Sequence, residues 1–156
     1  MRKLYILIAA ALLLSLVLMV SVHIAGAAQA NGDNVVHVIE HAITDTVVDI
    51  GPKGDSRGDL LAFANPVFDE KDKTKVGSDS GNCVRTDPGK LYECNWTTFL
   101  DGGQITVEGP FFDSGADSML SIIGGTGKYR GASGQMKLHA RGNPVGSEFD
   151  FIFSLN

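Results

Sequence analysis

Two histidines and a glutamate lie within five residues in His37-Val38-Ile39-Glu40-His41. On a helix this H-x-x-E-H spacing would gather zinc ligands on one face. The neighbouring residues argue against a helix, because Val35, Val36, Val38 and Ile39 are β-branched and favour a strand. On a strand the two histidines stand about 13 Å apart, and no zinc ion with bonds of about 2 Å holds both. No metal site is therefore expected, and the chemistry that remains belongs to Glu40. It shares a strand face with Val36, Val38 and Ala42. If that face turns inward, a carboxylate is held among apolar groups, where burial opposes its charge and a specific role follows. The opposite face, His37-Ile39-His41-Ile43, also carries apolar residues, so the pattern leaves both orientations open.

Cys83 and Cys94 are the two cysteines of the chain, and they flank the turn sequence Asp87-Pro88-Gly89-Lys90. A two-residue Pro88-Gly89 loop would set position 83 opposite 94, and opposed strand residues about 4.5–5.5 Å apart are within bridging range. A disulfide and two separate small apolar thiols both fit this spacing. The run Gly124-Gly125-Thr126-Gly127-Lys128-Tyr129-Arg130-Gly131 resembles a phosphate loop only superficially. Position 122 is Ile and 129 is Tyr where the P-loop needs Gly and Ser/Thr, and the strand-like residues that follow supply no helix N-terminus. Arg57-Gly58-Asp59 and Asn95-Trp96-Thr97 match short adhesion and glycosylation strings that carry little information alone. Asp69, Glu70 and Asp72 lack the alternation of a calcium loop, and no local nucleophile elbow marks a catalytic triad.

The elements that must position these groups are strands. Period-2 alternation predicts them near 35–43, 59–64, 75–86, 91–100, 103–109, 117–123, 134–141 and 147–155, separated by Gly-, Pro- and Asp-rich turns. The last two show the pattern most clearly. Met136, Leu138 and Ala140 oppose Gln135, Lys137, His139 and Arg141, and Phe149, Phe151, Phe153 and Leu155 oppose Glu148 and Asp150. Eight short strands in succession without an amphipathic helix predict an all-β fold, an eight-stranded antiparallel up-and-down barrel.

The chain has 156 residues, and residues 1–30 read as a secretory signal peptide: Met1-Arg2-Lys3, an apolar run from Leu4 to Val22, and the small-x-small end Ala28-Gln29-Ala30. The run is also long enough for an uncleaved N-terminal membrane anchor, but its charged start and small-residue end favour cleavage and export. Residues 31–156 form a single domain with 11 basic and 18 acidic side chains. Such an acidic domain is unsuited to nucleic acid or to anionic membrane surfaces.

Several blocks, taken in order, resemble the allene oxide cyclase family: Gly58-Asp59-Leu60-Leu61-Ala62-Phe63-Ala64-Asn65, Val76-Gly77-Ser78-Asp79-Ser80-Gly81-Asn82-Cys83, Gln104-Ile105-Thr106-Val107-Glu108-Gly109-Pro110-Phe111, and 117–127. The segment Ile123 to Leu138 is also similar to dirigent proteins. The resemblance implies an eight-stranded barrel with an apolar interior, assembled as a homotrimer. It implies a cofactor-free cyclisation or isomerisation of a reactive apolar small molecule, such as a fatty-acid epoxide. It further implies that Glu40 is the charge-stabilising glutamate, Asn65 a water-holding asparagine and Cys83 a cysteine that steers the substrate chain. The chain departs from the plant cyclases at Ala42, where they carry a second asparagine, and near Val48-Asp49, where they carry Ser-Pro. Those departures leave two further expectations: a dirigent-like barrel that binds without covalent chemistry, and a structural or interaction module.

Overall fold

A computed structural model describes residues 34–142 and 148–156; the predicted signal segment 1–30 lies outside them. Ten strands follow in chain order: β1 (Asn34–His41), β2 (Thr46–Val48), β3 (Leu60–Phe63), β4 (Pro66–Asp69), β5 (Lys75–Asp87), β6 (Leu91–Leu100), β7 (Gly103–Phe112), β8 (Ser118–Gly127), β9 (Gly134–Ala140) and β10 (Glu148–Leu155). Among the described residues there is no helix.

All pairings are antiparallel. From β4 to β10 each strand pairs with the next, β1 joins β10 to β4, and the result is a closed eight-stranded barrel. The two remaining strands, β2 and β3, lie outside this ring. β3 takes the stretch of the β5 edge beyond β4, and β2 pairs with β3 and has no neighbour on its far edge among the described residues.

The expected strand at 59–64 is thus the first half of a longer element. Its continuation as β4 was hidden because Asn65 and Pro66 interrupt the apolar alternation. β2 was also missed: three residues, all exposed, carry no inside-outside pattern. β8 extends to Gly127, into the glycine-rich run expected to be a loop. Those glycines have a packing reason at Gly125, where an added Cβ would meet the backbone oxygen of Tyr129.

Alternation fills the interior. Met136 and Leu138 of β9 and Phe149, Phe151 and Phe153 of β10 are buried, as their pattern required. They meet Tyr92, Cys94 and Trp96 of β6, Ile105 and Val107 of β7, and Leu120 and Ile122 of β8. Aromatic rings lock edge to face, with Phe151–Phe153 centroids 6.4 Å apart and Phe111–Phe149 5.8 Å apart. Trp96 fits inside the wall because its neighbour across the sheet is Gly81, where any Cβ would collide with the Trp96 Cβ and the Asn95 carbonyl.

Cys83 stands opposite Cys94 as the turn arithmetic required, and the two form a disulfide. The turn itself differs from expectation. Asp87 pairs with Leu91, and an irregularity between Arg85 and Asp87 restores the register before the cysteines. At the β6–β7 turn, Asp101-Gly102 is a two-residue hairpin loop with Gly102 at φ 79°.

Phe153 is fully buried and Gln135 exposed. Phe153→Ala should therefore cost about 3–5 kcal/mol in urea unfolding, while Gln135→Ala, on the outer face of β9, should stay within about 0.5 kcal/mol.

Candidate functional site

Glu40 sits at the inward end of β1, 5% exposed, and its neighbours on the same face, Val38 and Val36, face the core. Ile39, between them on the other face, is buried too. That double burial is why alternation alone left the orientation of β1 undecided. Glu40 lines a cavity of about 40 Å³ whose walls include Trp96, Phe149, Phe151, Leu138 and the Cys83–Cys94 bridge. Half-buried Leu61, Phe63 and Phe111 and the exposed Asp45 line it as well. Small-molecule sites commonly span hundreds of Å³, so an organic ligand of ordinary size would have to displace half-buried side chains such as Leu61, Phe63 and Phe111 to enter this one.

Asn65 places Glu40. It lies between β3 and β4, fully buried, and its Oδ1 accepts from Ile43 N (3.0 Å), Thr44 N (2.9 Å) and Thr44 Oγ1 (2.9 Å). Its Nδ2 donates to Glu40 Oε1 at 2.7 Å and to Asp45 Oδ1 at 2.8 Å. The two backbone N–H groups dictate which end of the amide is oxygen, leaving the two amide hydrogens for the two carboxyls. The Asn65 backbone is tied to Asp79 in both directions: Asn65 N donates to Asp79 Oδ1 at 3.0 Å, and Asp79 N donates to the Asn65 carbonyl at 2.8 Å.

Glu40 and Asp79 are within hydrogen-bonding reach of each other. Burial, then the charge of Asp79, holds the Glu40 carboxyl well above the usual carboxylate range, against the opposing pull of the Asn65 hydrogen bond. Burial pushes Asp79 up to about 6. Asp79 Oδ2 has no donor among the described groups unless Glu40 carries a proton. A proton shared between the two carboxyls would give that oxygen its partner, an arrangement open to adjacent buried acids. Among the described residues, no cation lines the cavity. Arg85, further along the inward face of β5, stacks on Tyr92 at 3.6 Å and pairs with Asp55 and Asp113, both at 2.7 Å.

Of the three residues singled out by sequence, Glu40 and Asn65 are in direct contact and Cys83 lines the same cavity. Cys83 enters as half of a disulfide, without a free thiol, and the Asn65 amide hydrogens are both committed to carboxyls. Asp79, Asp45 and Trp96 were not named as site residues, whereas Leu138, Phe149 and Phe151 of the wall were expected to face inward. Asp79 was within reach: on β5 it has the same parity as Cys83, and a charged residue on an inward face is a signal in itself.

The histidines of the rejected zinc pattern separate as expected, His37 to Asp150 at 2.8 Å and His41 to Asp72 at 2.7 Å. His41, Asp72 and Glu148 do converge, but Arg141 occupies their midst, with Nη1 3.2 Å from Asp72 and 3.7 Å from Glu148. Asp59 of the adhesion-like string is buried and accepts from Ile50 N (2.8 Å) and Ser56 N (2.7 Å), which pins the loop before β3.

The raised carboxyls fix a sign for stability. Folding takes up protons between the ordinary carboxylate range and the raised values of Glu40 and Asp79, so this contribution is greatest in acid and is lost as pH rises through that window. Glu40→Gln, whose amide can donate to Asp79 Oδ2 permanently, should melt at a higher temperature than the parent at pH 7. The advantage should shrink below about pH 4, where unfolded carboxyls are themselves protonated.

Comparison with known proteins agrees with this architecture. The model of the family described as allene oxide cyclase matches residues 40–153. Among solved structures, pyocyanin demethylase is 22% identical with a TM-score of 0.64, over 76% of this chain and 99% of that one. The pterocarpan synthase dirigent protein PsPTS1 is 19% identical with a TM-score of 0.65, over 82% and 99%. AbnU, an exo-specific intermolecular Diels-Alderase, is 16% identical with a TM-score of 0.60, over 80% and 98%. At these identities the solved structures speak to the fold alone, and the family match, which covers most of the barrel, makes the chain a member of the allene oxide cyclase family.

Proposed function

We propose that this barrel binds an apolar, reactive small molecule in its aromatic interior and cyclises or isomerises it, with Glu40 as the group that meets the reacting oxygen. The observation that carries the reading is a buried carboxyl, oriented by Asn65, in a cavity otherwise walled by Phe, Trp, Leu and a disulfide. Such walls restrict the conformations of a flexible substrate and keep water away from a reactive intermediate. Trp96 Nε1 is buried with no acceptor among the described residues, so an oxygen on the ligand would give it a partner. A fatty-acid epoxide fits this description at its reactive end, while its carboxylate would stay outside a cavity that offers acids and no cation. Relatives of the same fold named as a Diels-Alderase and a dirigent protein support a role in guiding carbon frameworks. Export belongs to the same reading, since a bridge such as Cys83–Cys94 persists in an oxidising compartment.

A guide that binds without covalent chemistry is the second reading. It is favoured by Ala42, which puts no amide beside Glu40, and by the small cavity. One experiment separates them. Wild type and Glu40→Gln are mixed with a freshly generated unsaturated fatty-acid epoxide, and the yield and enantiomeric excess of cyclopentenone are measured. A cyclase should give enantiomerically enriched product, and Glu40→Gln should slow its formation by about 10²-fold or more. Racemic product at the protein-free rate from both proteins, with ligand still bound, would remove the cyclase reading.

A further inference from the structure

We propose that Asp79 is the proton store of this site: Glu40 relays a proton from a bound, uncharged substrate to Asp79 Oδ2 and returns it at a different atom, so that the barrel catalyses proton-shift isomerisation. This rests on the reading of the aromatic cavity as the active site, but it goes further, because it names a second acid and a class of reaction.

The geometry is directional. Glu40 lines the cavity and Asp79 does not, so a substrate reaches Asp79 only through Glu40. Asn65 Nδ2 donates to Glu40 Oε1, which favours the proton on the other oxygen, and Asp79 is the neighbouring carboxyl that can accept it. Oε1 keeps a lone pair. Asp79 is held from the far side by Asn65 N on Oδ1, while Oδ2 has no other donor among the described groups. A carboxyl so placed works at both ends. As Oε1 takes a proton from a C–H or O–H of the substrate, the second oxygen passes its own proton to Asp79 Oδ2. The substrate bond that breaks leaves its electron pair on the substrate as an enolate or similar anion, and one O–H bond forms on each carboxyl as the old Glu40 O–H breaks. The reverse sequence delivers the proton to another atom of the substrate, and the pair regains its starting state with no oxidant or reductant consumed.

The surroundings favour this direction. The groups facing the pair are the Asn65 carboxamide and Asp45 from the corner after β1, and among the described residues no cation lines the cavity. Taking up the proton moves the single negative charge of the pair onto the substrate, where the buried and otherwise unpartnered Trp96 Nε1 can donate to it. His41 points to Asp72 and Arg85 to Asp55 and Asp113, so their charges are engaged elsewhere. Asp79 acts through Glu40 and is a positioning residue.

The test uses 3-cyclohexenone, an uncharged β,γ-unsaturated ketone, followed by the absorbance of its conjugated isomer. Wild type should accelerate the shift, with activity lost as pH falls through about 6, where Asp79 ceases to be a carboxylate. Asp79→Asn keeps an acceptor for Asn65 N, and should lower the rate by about 10²-fold and abolish that acid limb. A parallel ¹³C-carboxyl titration of the unliganded protein, with Glu40 assigned among the five glutamates by its loss in Glu40→Gln, needs no substrate. Glu40 and Asp79 should titrate as a coupled pair in wild type, and Glu40 should fall toward the ordinary range in Asp79→Asn. If Asp79→Asn does not fold, the wild-type titration decides alone: independent midpoints in the ordinary carboxylate range overturn the proposal. So does an Asp79→Asn protein as active as wild type, or a wild type that leaves the ketone at its spontaneous rate. Epoxide cyclisation that requires Glu40 but not Asp79 would leave the cyclase reading standing and this one refuted. Ketone isomerisation that requires both, without epoxide cyclisation, would do the opposite.

Discussion

One buried carboxamide holds the working end of this barrel together. Asn65 has two hydrogens and one oxygen to offer, and all are used: two backbone N–H groups and a threonine hydroxyl on one side, two carboxyls on the other. Its position between β3 and β4 means that the break in one strand satisfies the corner after another, because Ile43 and Thr44 have left the β1 ladder and need acceptors. An apolar residue at 65 would strand Thr44 N, leave Ile43 N with the His41 carbonyl alone, and release Glu40 and Asp45 from their shared donor. The site is thus a by-product of closing the corner, and the corner cannot be altered without altering the site.

The rest of the molecule offsets what this arrangement costs. Glu40 and Asp79, buried with no cation beside them among the described residues, oppose folding at neutral pH. Against them stand the aromatic interior of β6 and β10, the disulfide across β5 and β6, and ion pairs that lie away from the cavity. Arg85 and Arg141 illustrate the separation. Each is surrounded by carboxylates of its own, Asp55 and Asp113 for one, Asp72, Glu148 and Asp150 for the other, so that neither guanidinium is available to neutralise Glu40. Local pairing keeps the cavity acids electrostatically isolated.

Much of the barrel was legible in sequence wherever one strand face is apolar and the other polar, as in Met136-Lys137-Leu138 and Phe149-Asp150-Phe151. It was not legible where both faces are covered, as around Ile39, or where neither is, as in β2. The facing of Cys83 and Cys94 followed from counting outward from a turn, although the turn contains an irregularity the count did not include. Glu40 could be named because a lone acid in an apolar strand is conspicuous. Asp79 could not be paired with it from sequence, since 39 positions separate them and only ring closure through β4 brings β1 beside β5.

β2 carries a consequence of its own. Its far edge, unpaired among the described residues, offers N–H and C=O groups beside exposed Val47 and Val48, the makings of a template on which another extended chain could grow. The segment is short, and Asp45 and Asp49 bracket it. A second copy approaching edge to edge would bring like charges together at both ends of a three-residue ladder, so these two aspartates serve as gatekeepers against fibrous self-assembly.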